Sequence, residues 1–349
     1  MSIKELRGEQ RRQLIDTRQV FDAWRQAHFE AKHRFAGSMR WGERNGTEYL
    51  LRKTRQTEKS LGRRGVETER IYGAFVSGRA ENHDRLAGLT DRLDELAPVN
   101  RALGLGRVPV IAARILRECD EAGLLGEHLT IVGTNALYAY EAEAGVQTQS
   151  DLVASLDIDL LYDARRRLSL AFTGVHAAGL IGLLRAVDTS FAPVRPRSFR
   201  AANRDGYLVD LIRPEGRDPI GDKSKPALTD LPEDLEGAAI FGLGWLVNSP
   251  KMDVVAIDER GYPVRMVVID PRAFALHKAW VSLREDRDPV KAKRDFQQAQ
   301  AAALMATRYL RRPFESTELD ALPNALREFA PKVATANDDG SKRLAKPNW

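Results

Sequence analysis

The chain has 349 residues, of which 43% are hydrophobic and 30% are charged, and its formal net charge is +5. No segment approaches the roughly 18 consecutive apolar residues of a membrane helix, and the charged N-terminus MSIKELRGEQRRQLIDTR excludes a signal peptide. The single cysteine, Cys119, excludes an intrachain disulfide and fits a reducing cytoplasm. We therefore expect a soluble cytoplasmic protein with no membrane partner, and the positive charge favours an anionic one.

Residues 1–105 have mainly helical patterns, which predicts a helical N-terminal region. A basic stretch interrupts these patterns, and its SLGRRG segment predicts a flexible loop. These cations could contact the phosphates of RNA or of a nucleotide. Alternatively they form only a solvated charge run, because few aromatic residues that could stack on bases lie between them. The cations of the stretch are Arg52, Lys53, Arg55, Lys59, Arg63 and Arg64.

Residues 106–270 alternate short apolar runs with helical patterns, which predicts an α/β core. In its first part, Leu129–Val132 predicts a buried strand and Gly133-Thr134 a tight turn. Thr134–Ala144 is rich in Ala, Leu and Glu and predicts a helix, which Gly145 would end. A helix that starts directly after a strand and a tight turn favours phosphate binding at that turn.

Two aspartates share one face of the next predicted strand. In ASLDIDLLYD, Leu156, Ile158 and Leu160 alternate with Asp157 and Asp159, which is the period of a strand. Both carboxylates therefore project from one face, roughly 7 Å apart at the backbone.

A third carboxylate, Asp210, lies in the predicted strand GYLVDLI. If this strand lies beside LDIDLL, Asp210 converges with Asp157 and Asp159. Mg²⁺ prefers such oxygen ligands together with substrate phosphates, and two bound metal ions can activate a hydroxyl and neutralise a leaving pyrophosphate. Taken singly, a D-x-D pair is more often a solvated face and a Gly-Thr turn only a turn. Their combination predicts a site for Mg²⁺ (or Mn²⁺) and a nucleoside triphosphate (NTP).

From Pro271 onward the pattern is helical again, which predicts a C-terminal helical region over 271–330 and a flexible polar tail over 331–349. Asp270 predicts the N-cap of the first helix, with Pro271 in its first turn. Lys278 lies on this helix, where it could extend to solvent or contact a phosphate. Its neighbour in sequence, His277, is expected to be structural.

Other segments of the core carry weaker signals. MDVVAI and VRMVVID flank a turn-rich link, which predicts a hairpin. RPEGRDPIGDKSKPALTDLPEDLEG predicts a long surface loop. Arg165–Arg167 could bind phosphate or be solvated, like the N-terminal basic stretch.

These motifs resemble those of the DNA polymerase β-like nucleotidyltransferase superfamily. The shared signature is strand, Gly-Ser/Thr, helix, then hydrophobic-Asp-hydrophobic-Asp-hydrophobic, then a later strand aspartate. Within it, VGTNALYAYEA and LDIDLLYD look like a bacterial nucleotidyltransferase-fold family of largely unassigned function, akin to the abortive-infection nucleotidyltransferases of toxin–antitoxin systems. The resemblance implies a polymerase β-like core, a mixed sheet with helices, flanked by N- and C-terminal helical regions.

The resemblance also implies residue roles. One departure is the long spacing between the turn and the first aspartate, which predicts an inserted loop at AGVQTQSDLVAS. The matched residues are Asp157 and Asp159 (metal-binding pair), Asp210 (third carboxylate, for metal or as proton acceptor), Gly133 and Thr134 (phosphate turn) and Lys278 (lysine facing the triphosphate).

The function that follows is metal-dependent transfer of a nucleoside monophosphate from an NTP to a hydroxyl, with release of pyrophosphate. The acceptor would be RNA, such as tRNA, or a protein. A toxin or defence enzyme with an antitoxin partner would fit the resemblance. The alternative is a catalytically inactive RNA- or protein-binding module on the same fold, although such a module would gain nothing from three clustered aspartates.

Overall fold

A computed structural model describes residues 3–54, 57–163, 173–215, 227–320 and 322–334. The chain divides into two compact units. The N-terminal unit comprises Glu9–Leu105 and Gly261–Pro263, and the core unit comprises Met1–Gly8, Gly106–Arg260 and Val264–Trp349. Among the described helices, none combines the length and apolar character that crossing a bilayer requires.

The elements are numbered along the chain. A π-helical turn at Met305–Tyr309 and a 3₁₀ turn at Thr317–Leu319 also occur, and α6 is interrupted by a non-helical residue at Gly179. The strands and helices are β1 (Lys4–Glu5), α1 (Gly8–His33), β2 (Ser38–Arg44), β3 (Thr47–Thr54), β4 (Thr57–Arg63), α2 (Val66–Ala102), α3 (Val110–Glu121), β5 (Leu129–Val132), α4 (Ala136–Ala144), β6 (Val146–Gln147), α5 (Ser150–Val153), β7 (Asp157–Tyr162), α6 (Thr173–Val187), β8 (Ala192–Pro193), β9 (Arg200–Ala202), β10 (Leu208–Pro214), β11 (Ala238–Ile240), α7 (Leu243–Asn248), β12 (Lys251–Ile257), β13 (Pro263–Ile269), α8 (Pro271–Ser282), α9 (Pro289–Leu304), α10 (Asn324–Arg327) and α11 (Ala330–Ala334).

In the N-terminal unit, buried polar contacts join the two long helices that the sequence pattern predicts. Thr17 of α1 donates its hydroxyl to Oδ1 of Asn100 of α2 at 3.1 Å. Farther along, Nδ2 of Asn82 donates to the carbonyl of Ala27 at 2.9 Å. Because buried polar groups are costly unless they are paired, these contacts fix how the two helices align.

The prediction of a flexible loop at SLGRRG in the basic stretch is wrong, because β4 extends through this segment to Arg63. The stretch contributes β3 and β4 to an antiparallel sheet, whose strand order is β2-β3-β4. Leu50 is fully buried, and the Arg52 guanidinium lies 4.2 Å from the centroid of the Phe75 ring of α2. A sheet with one buried and one solvated face accommodates many charges. The high charge of the stretch therefore favoured a loop in the sequence analysis although the stretch forms strands.

The core unit is built on a mixed sheet, as predicted. Within the described residues its strand order is β12-β13-β5-β7-β10-β9-β8, with β11 beside β10. β5 is parallel to β13 and antiparallel to β7, whereas β7 and β10 are parallel. The central strands contribute fully buried apolar residues to the core, such as Ile131, Ile158 and Val209. The predicted hairpin corresponds to β12 and β13, which are neighbours in this sheet.

The predicted strand–turn–helix unit is present with one shift. The strand spans Leu129–Val132, as predicted, but the helix starts at Ala136 rather than at Thr134. It ends at Gly145, whose φ of 65° is the left-handed conformation that favours glycine at a helix C-terminus.

The predicted inserted loop and the start of the predicted flexible tail contain regular structure. The expected inserted loop before the first aspartate forms β6 and α5. The first residues of the expected tail are helical, because α11 extends to Ala334 and buries Val333 completely. The predictions for Arg165–Arg167, for 335–349 and for the 216–226 part of the surface loop fall outside the described residues.

Candidate functional site

Three aspartates project from one face of the core sheet. In the parallel pairing of β7 with β10, Asp159 lies directly opposite Asp210, and Asp157 lies opposite Leu208. Residues two apart in a strand point to the same side. The pairing of these two strands therefore brings together the three carboxylates that the sequence analysis singled out.

The Gly-Thr turn lies next to Asp159, at the end of β5, which neighbours β7 on the side away from β10. Val132, the last residue of β5, is opposite Asp159 in the antiparallel pairing of β5 with β7. Gly133 follows with a φ of 64°, and a Cβ atom at this position would lie 2.0 Å from Oδ2 of Asp159. Both the positive φ and the close approach require glycine here.

Two backbone N–H groups in the turn have no hydrogen-bond partner among the described residues. The N–H groups of Ala136 and Leu137 donate back to carbonyls of the turn at 3.2 and 3.1 Å. Those of Thr134 and Asn135 donate to no other described residue. The side chain of Asn135 donates to the carbonyl of Asp157 at 2.6 Å, which ties the turn to β7. An anion at this helix start would meet unpaired donors and the positive end of the helix dipole.

The electrostatic environment of Asp159 is unusual for a carboxylate. Burial, and then the neighbouring charge of Asp157, raise its pKa to about 7. Asp210 raises it further, while Lys278 and Arg200 act in the opposite direction. Burial and the neighbouring carboxylates therefore disfavour the ionised form of Asp159, and a bound cation would favour it.

Arg200 is a site residue that sequence reasoning missed. It lies on β9 directly opposite Asp210, and its Nε and Nη2 donate to the two carboxylate oxygens at 2.7 and 2.6 Å. The Asp210 side chain is 8% exposed and that of Arg200 is 38% exposed, so the guanidinium closes the carboxylate off from solvent. No sequence pattern marks Arg200, because its role depends on β9 lying beside β10.

The donor set partly fits a divalent metal ion. Asp157 and Asp159 offer the carboxylate oxygens that Mg²⁺ prefers, and a bound cation would oppose the burial and the like charges that raise the pKa of Asp159. Both oxygens of Asp210, however, are bonded to Arg200. Among the described residues, accordingly, no group of three or more His, Cys, Asp or Glu side chains is arranged to hold a metal ion. Asp210 would complete such a group only after release from Arg200.

Lys278 lies on α8, close enough to Asp159 to lower the pKa of that carboxylate. Its Nζ donates to Oδ1 of Asp295 at 2.6 Å, and Arg287 binds the other oxygen of Asp295. A phosphate contact of Lys278 thus stays a prediction. Burial lowers the pKa of His277 to about 3, so this residue is neutral.

Two further residues hold the turn and the strand in place. Gln298 of α9 donates its Nε2 to the Thr134 hydroxyl at 3.1 Å and to the carbonyl of Leu152 at 2.9 Å. The Ser155 hydroxyl donates to Oδ1 of Asp157. The Ser155 contact is local enough to be expected from the sequence, whereas Gln298 is brought here only by the packing of α9.

Comparison with known families gives one finding. The model of a family described as nucleotidyltransferase matches residues 111–323, which is more than half of the chain. All six predicted site residues fall within the matched range. Neither a search of curated proteins nor a search of solved structures found a match.

Proposed function

We propose, since this chain belongs to a nucleotidyltransferase family, that it transfers a nucleoside monophosphate from an NTP to a hydroxyl acceptor in a metal-dependent reaction that releases pyrophosphate. The observation that carries the proposal is the register of β7 and β10, which places Asp159 beside Asp210. Neighbouring carboxylates repel each other and destabilise a fold. Their retention beside a glycine turn is better explained by chemistry than by stability.

The aspartates would have distinct roles. Asp157 and Asp159 would hold Mg²⁺ (or Mn²⁺), which when bound helps to activate the acceptor hydroxyl and to neutralise the leaving pyrophosphate. Asp210 would join the ligands or accept the proton of the acceptor hydroxyl. Either role requires Arg200 to release the Asp210 carboxylate, and the guanidinium is then free to face the phosphates of the substrate.

The phosphates of the NTP would be held beside the aspartates. The unpaired N–H groups of Thr134 and Asn135 support binding of one phosphate at the turn. Lys278 would offset the charge of the triphosphate, after exchange of its present contact with Asp295.

The proposal extends to the acceptor and to the biological role. An RNA such as tRNA, or a protein, would receive the nucleotide. A toxin or defence enzyme held in check by an antitoxin would fit the resemblance to abortive-infection nucleotidyltransferases.

Transfer of label tests this function directly. The pure protein is incubated with each NTP labelled at the α-phosphate, with Mg²⁺ or Mn²⁺, and with cell extract as the source of acceptors. We expect label in acid-precipitable RNA or protein, and Asp159→Asn should abolish this transfer, because it removes a proposed metal ligand. Asp205→Asn is the matched control, because Asp205 is an exposed aspartate that lies close before β10. Undiminished transfer by Asp159→Asn would refute the assignment.

One observation favours the alternative, a catalytically inactive RNA- or protein-binding module on the same fold. Asp210 and Lys278 are each bonded to a partner within the chain, Arg200 and Asp295 respectively. If these pairs were permanent, two groups that the reaction needs would be blocked. Absence of transfer with every NTP and both metals, together with retained RNA binding, would support this alternative.

A further inference from the structure

The small sheet of the N-terminal unit sorts its charges by face. Alternate residues of β3 define an outer face, which carries Tyr49, Leu51 and Lys53, and an inner face, which carries Leu50 and Arg52. The inner face packs on the unit itself, since Leu50 is fully buried and Arg52 stacks on an aromatic ring of α2. Through the strand register, the charged residues of the outer face are Arg40, Arg44, Lys53, Glu58 and Arg63.

The outer face has a clear excess of positive charge. It holds four cations and one carboxylate, whereas the inner face holds two cations and two carboxylates by the same register. Glu43 and Glu48 lie opposite each other on the inner face, where Glu48 pairs with Arg64 at 2.8 Å. Two of the three acidic residues on these strand positions, Glu43 and Glu48, are therefore directed away from the outer face, and only Glu58 lies on it.

Three of the outer cations have no counter-ion in the part of the chain that the structure describes. Arg40 pairs with Glu58 at 3.1 Å. Arg44, Lys53 and Arg63 are exposed and form no ion pair with another described residue. Arg44 lies opposite residue 47 of β3, Arg63 lies opposite residue 49, and Lys53 belongs to β3 itself. Along β3 the three cations therefore span roughly 20 Å, at about 3.4 Å per residue. A surface of this length can contact several consecutive phosphates of an extended strand.

Apolar side chains lie between these cations. Tyr49 has Arg63 opposite it on β4 and Gly42, which has no side chain, opposite it on β2. Leu51 is its neighbour on the same face and leans over Gly42, with Cδ1 2.5 Å from the position that a Cβ there would take. Tyr49 and Leu51 are half-buried. A half-buried aromatic ring flanked by cations is the arrangement on which single-stranded nucleic acids bind, by stacking and by phosphate contacts.

We propose that this outer face binds single-stranded RNA. The cations would contact phosphates, and a base would stack on Tyr49. RNA is favoured over an acidic protein segment because the face combines unpaired cations with an aromatic ring, whereas an acidic segment would use only the cations. That the bound RNA is also the acceptor of nucleotidyl transfer rests on the proposed function, but the binding itself does not.

Binding of a 12-nucleotide fluorescein-labelled oligouridine to the full chain, followed by anisotropy without NTP or divalent metal, tests this inference. The triple variant R44Q/K53Q/R63Q should weaken binding at least tenfold at 100 mM KCl. It should also lower the slope of log affinity against log salt by about 2, at about 0.7 per lost phosphate contact. Tyr49→Ser should weaken binding about 5- to 100-fold through lost stacking, whereas Tyr49→Phe should bind nearly as the parent does.

A control triple variant removes the same charge from elsewhere in the unit. R12Q/R85Q/R101Q replaces three exposed helix arginines and leaves the sheet unchanged. It should bind RNA nearly as the parent does, and thermal unfolding would verify that every variant is folded. The proposal is overturned if the parent does not bind the oligonucleotide at 50 mM KCl, or if the control loses as much affinity as the sheet variant. The binding assay contains no NTP, so RNA binding can be observed even if the transfer assay fails. Conversely, absence of RNA binding would not contradict nucleotidyl transfer to a protein acceptor.

Discussion

Two carboxylates of the core unit have opposite surroundings. Asp270, the predicted N-cap of α8, is fully buried and accepts the backbone N–H of Arg272 at 2.8 Å. Its oxygens also accept hydrogen bonds from the guanidinium groups of Arg272 and Arg312 at 2.8–2.9 Å. Burial by itself would raise the pKa of Asp270, but the hydrogen bonds from Arg272 and Arg312 outweigh it and lower that pKa. Such a carboxylate stabilises the fold in its ionised form.

Asp159 has cations nearby, but the described part of the chain gives it no bond to any of them. Arg200 is bonded to Asp210 and Lys278 to Asp295, while burial and Asp157 raise the pKa of Asp159 to about 7. A carboxylate that costs stability in its ionised form is expected where a ligand supplies the missing charge. The contrast separates a carboxylate that holds the fold together from one that is available for binding.

The largest expected effect is a difference in stability between two isosteric variants. Asp270→Asn should lower the free energy of unfolding by about 3–5 kcal/mol, because it removes the buried carboxylate charge that the guanidinium groups of Arg272 and Arg312 share. Asp159→Asn should leave the protein as stable as the parent or more stable. Urea unfolding at pH 8 in a metal-free buffer measures both. A loss of similar size in the two variants would show that Asp159 is also structural.

The sequence predicted the parts of this comparison that depend on local pattern. Asp270 was identifiable as a cap because Asp-Pro precedes a helical pattern, and the D-x-D pair was identifiable from strand alternation in LDIDLL. The proximity of Asp210 could be stated only on the condition that two strands pair. That condition holds in the structure.

The remaining site residues could not be predicted, because strand order and helix packing decide their neighbours. Arg200 depends on β9 pairing with β10, and Gln298 depends on α9 packing beside the turn. The sheet of the N-terminal unit was missed for a different reason. Its strands have one solvated face and high charge, so their composition favoured a loop.

The pH dependence of stability should distinguish the two carboxylates as well. In the unfolded chain Asp159 ionises near pH 3.8, whereas the folded protein retains this proton up to about pH 7. The contribution of Asp159 to stability is therefore complete below pH 4 and is lost as the pH rises to 7. At 1.36 kcal/mol per pKa unit, the loss is on the order of 2–3 kcal/mol after allowance for partial exposure of the carboxylate.

Asp159→Asn should remove this loss. The variant should thus gain on the parent between pH 4 and 7 and keep a constant advantage above pH 7, in chemical unfolding followed at several pH values. For Asp270 the sign is reversed, because the hydrogen bonds from Arg272 and Arg312 lower its pKa. Its contribution is present at neutral pH and is lost as the pH falls through the acidic range. A gain of Asp159→Asn that does not change with pH would contradict the assignment of the raised pKa to this carboxylate.

The smallest expected effect concerns the contact between the turn and Asp159. Gly133→Ala adds a Cβ atom 2.0 Å from Oδ2 of Asp159 at a φ of 64°. The left-handed conformation alone should cost about 1–2 kcal/mol, and displacement of the carboxylate should add to this cost. Gly104→Ala is the matched control, because Gly104 has nearly the same φ, 67°, and a Cβ atom there would meet nothing within 4 Å. Urea unfolding should therefore show a larger loss in the free energy of unfolding for Gly133→Ala than for Gly104→Ala.

A double variant tests the cause of this difference. In an Asp159→Ala background the excess loss of Gly133→Ala should shrink, because the carboxylate that meets the new methyl group is gone. Equal losses for the two glycines would mean that the turn does not press on Asp159, and phosphate binding beside the aspartates would lose its structural support.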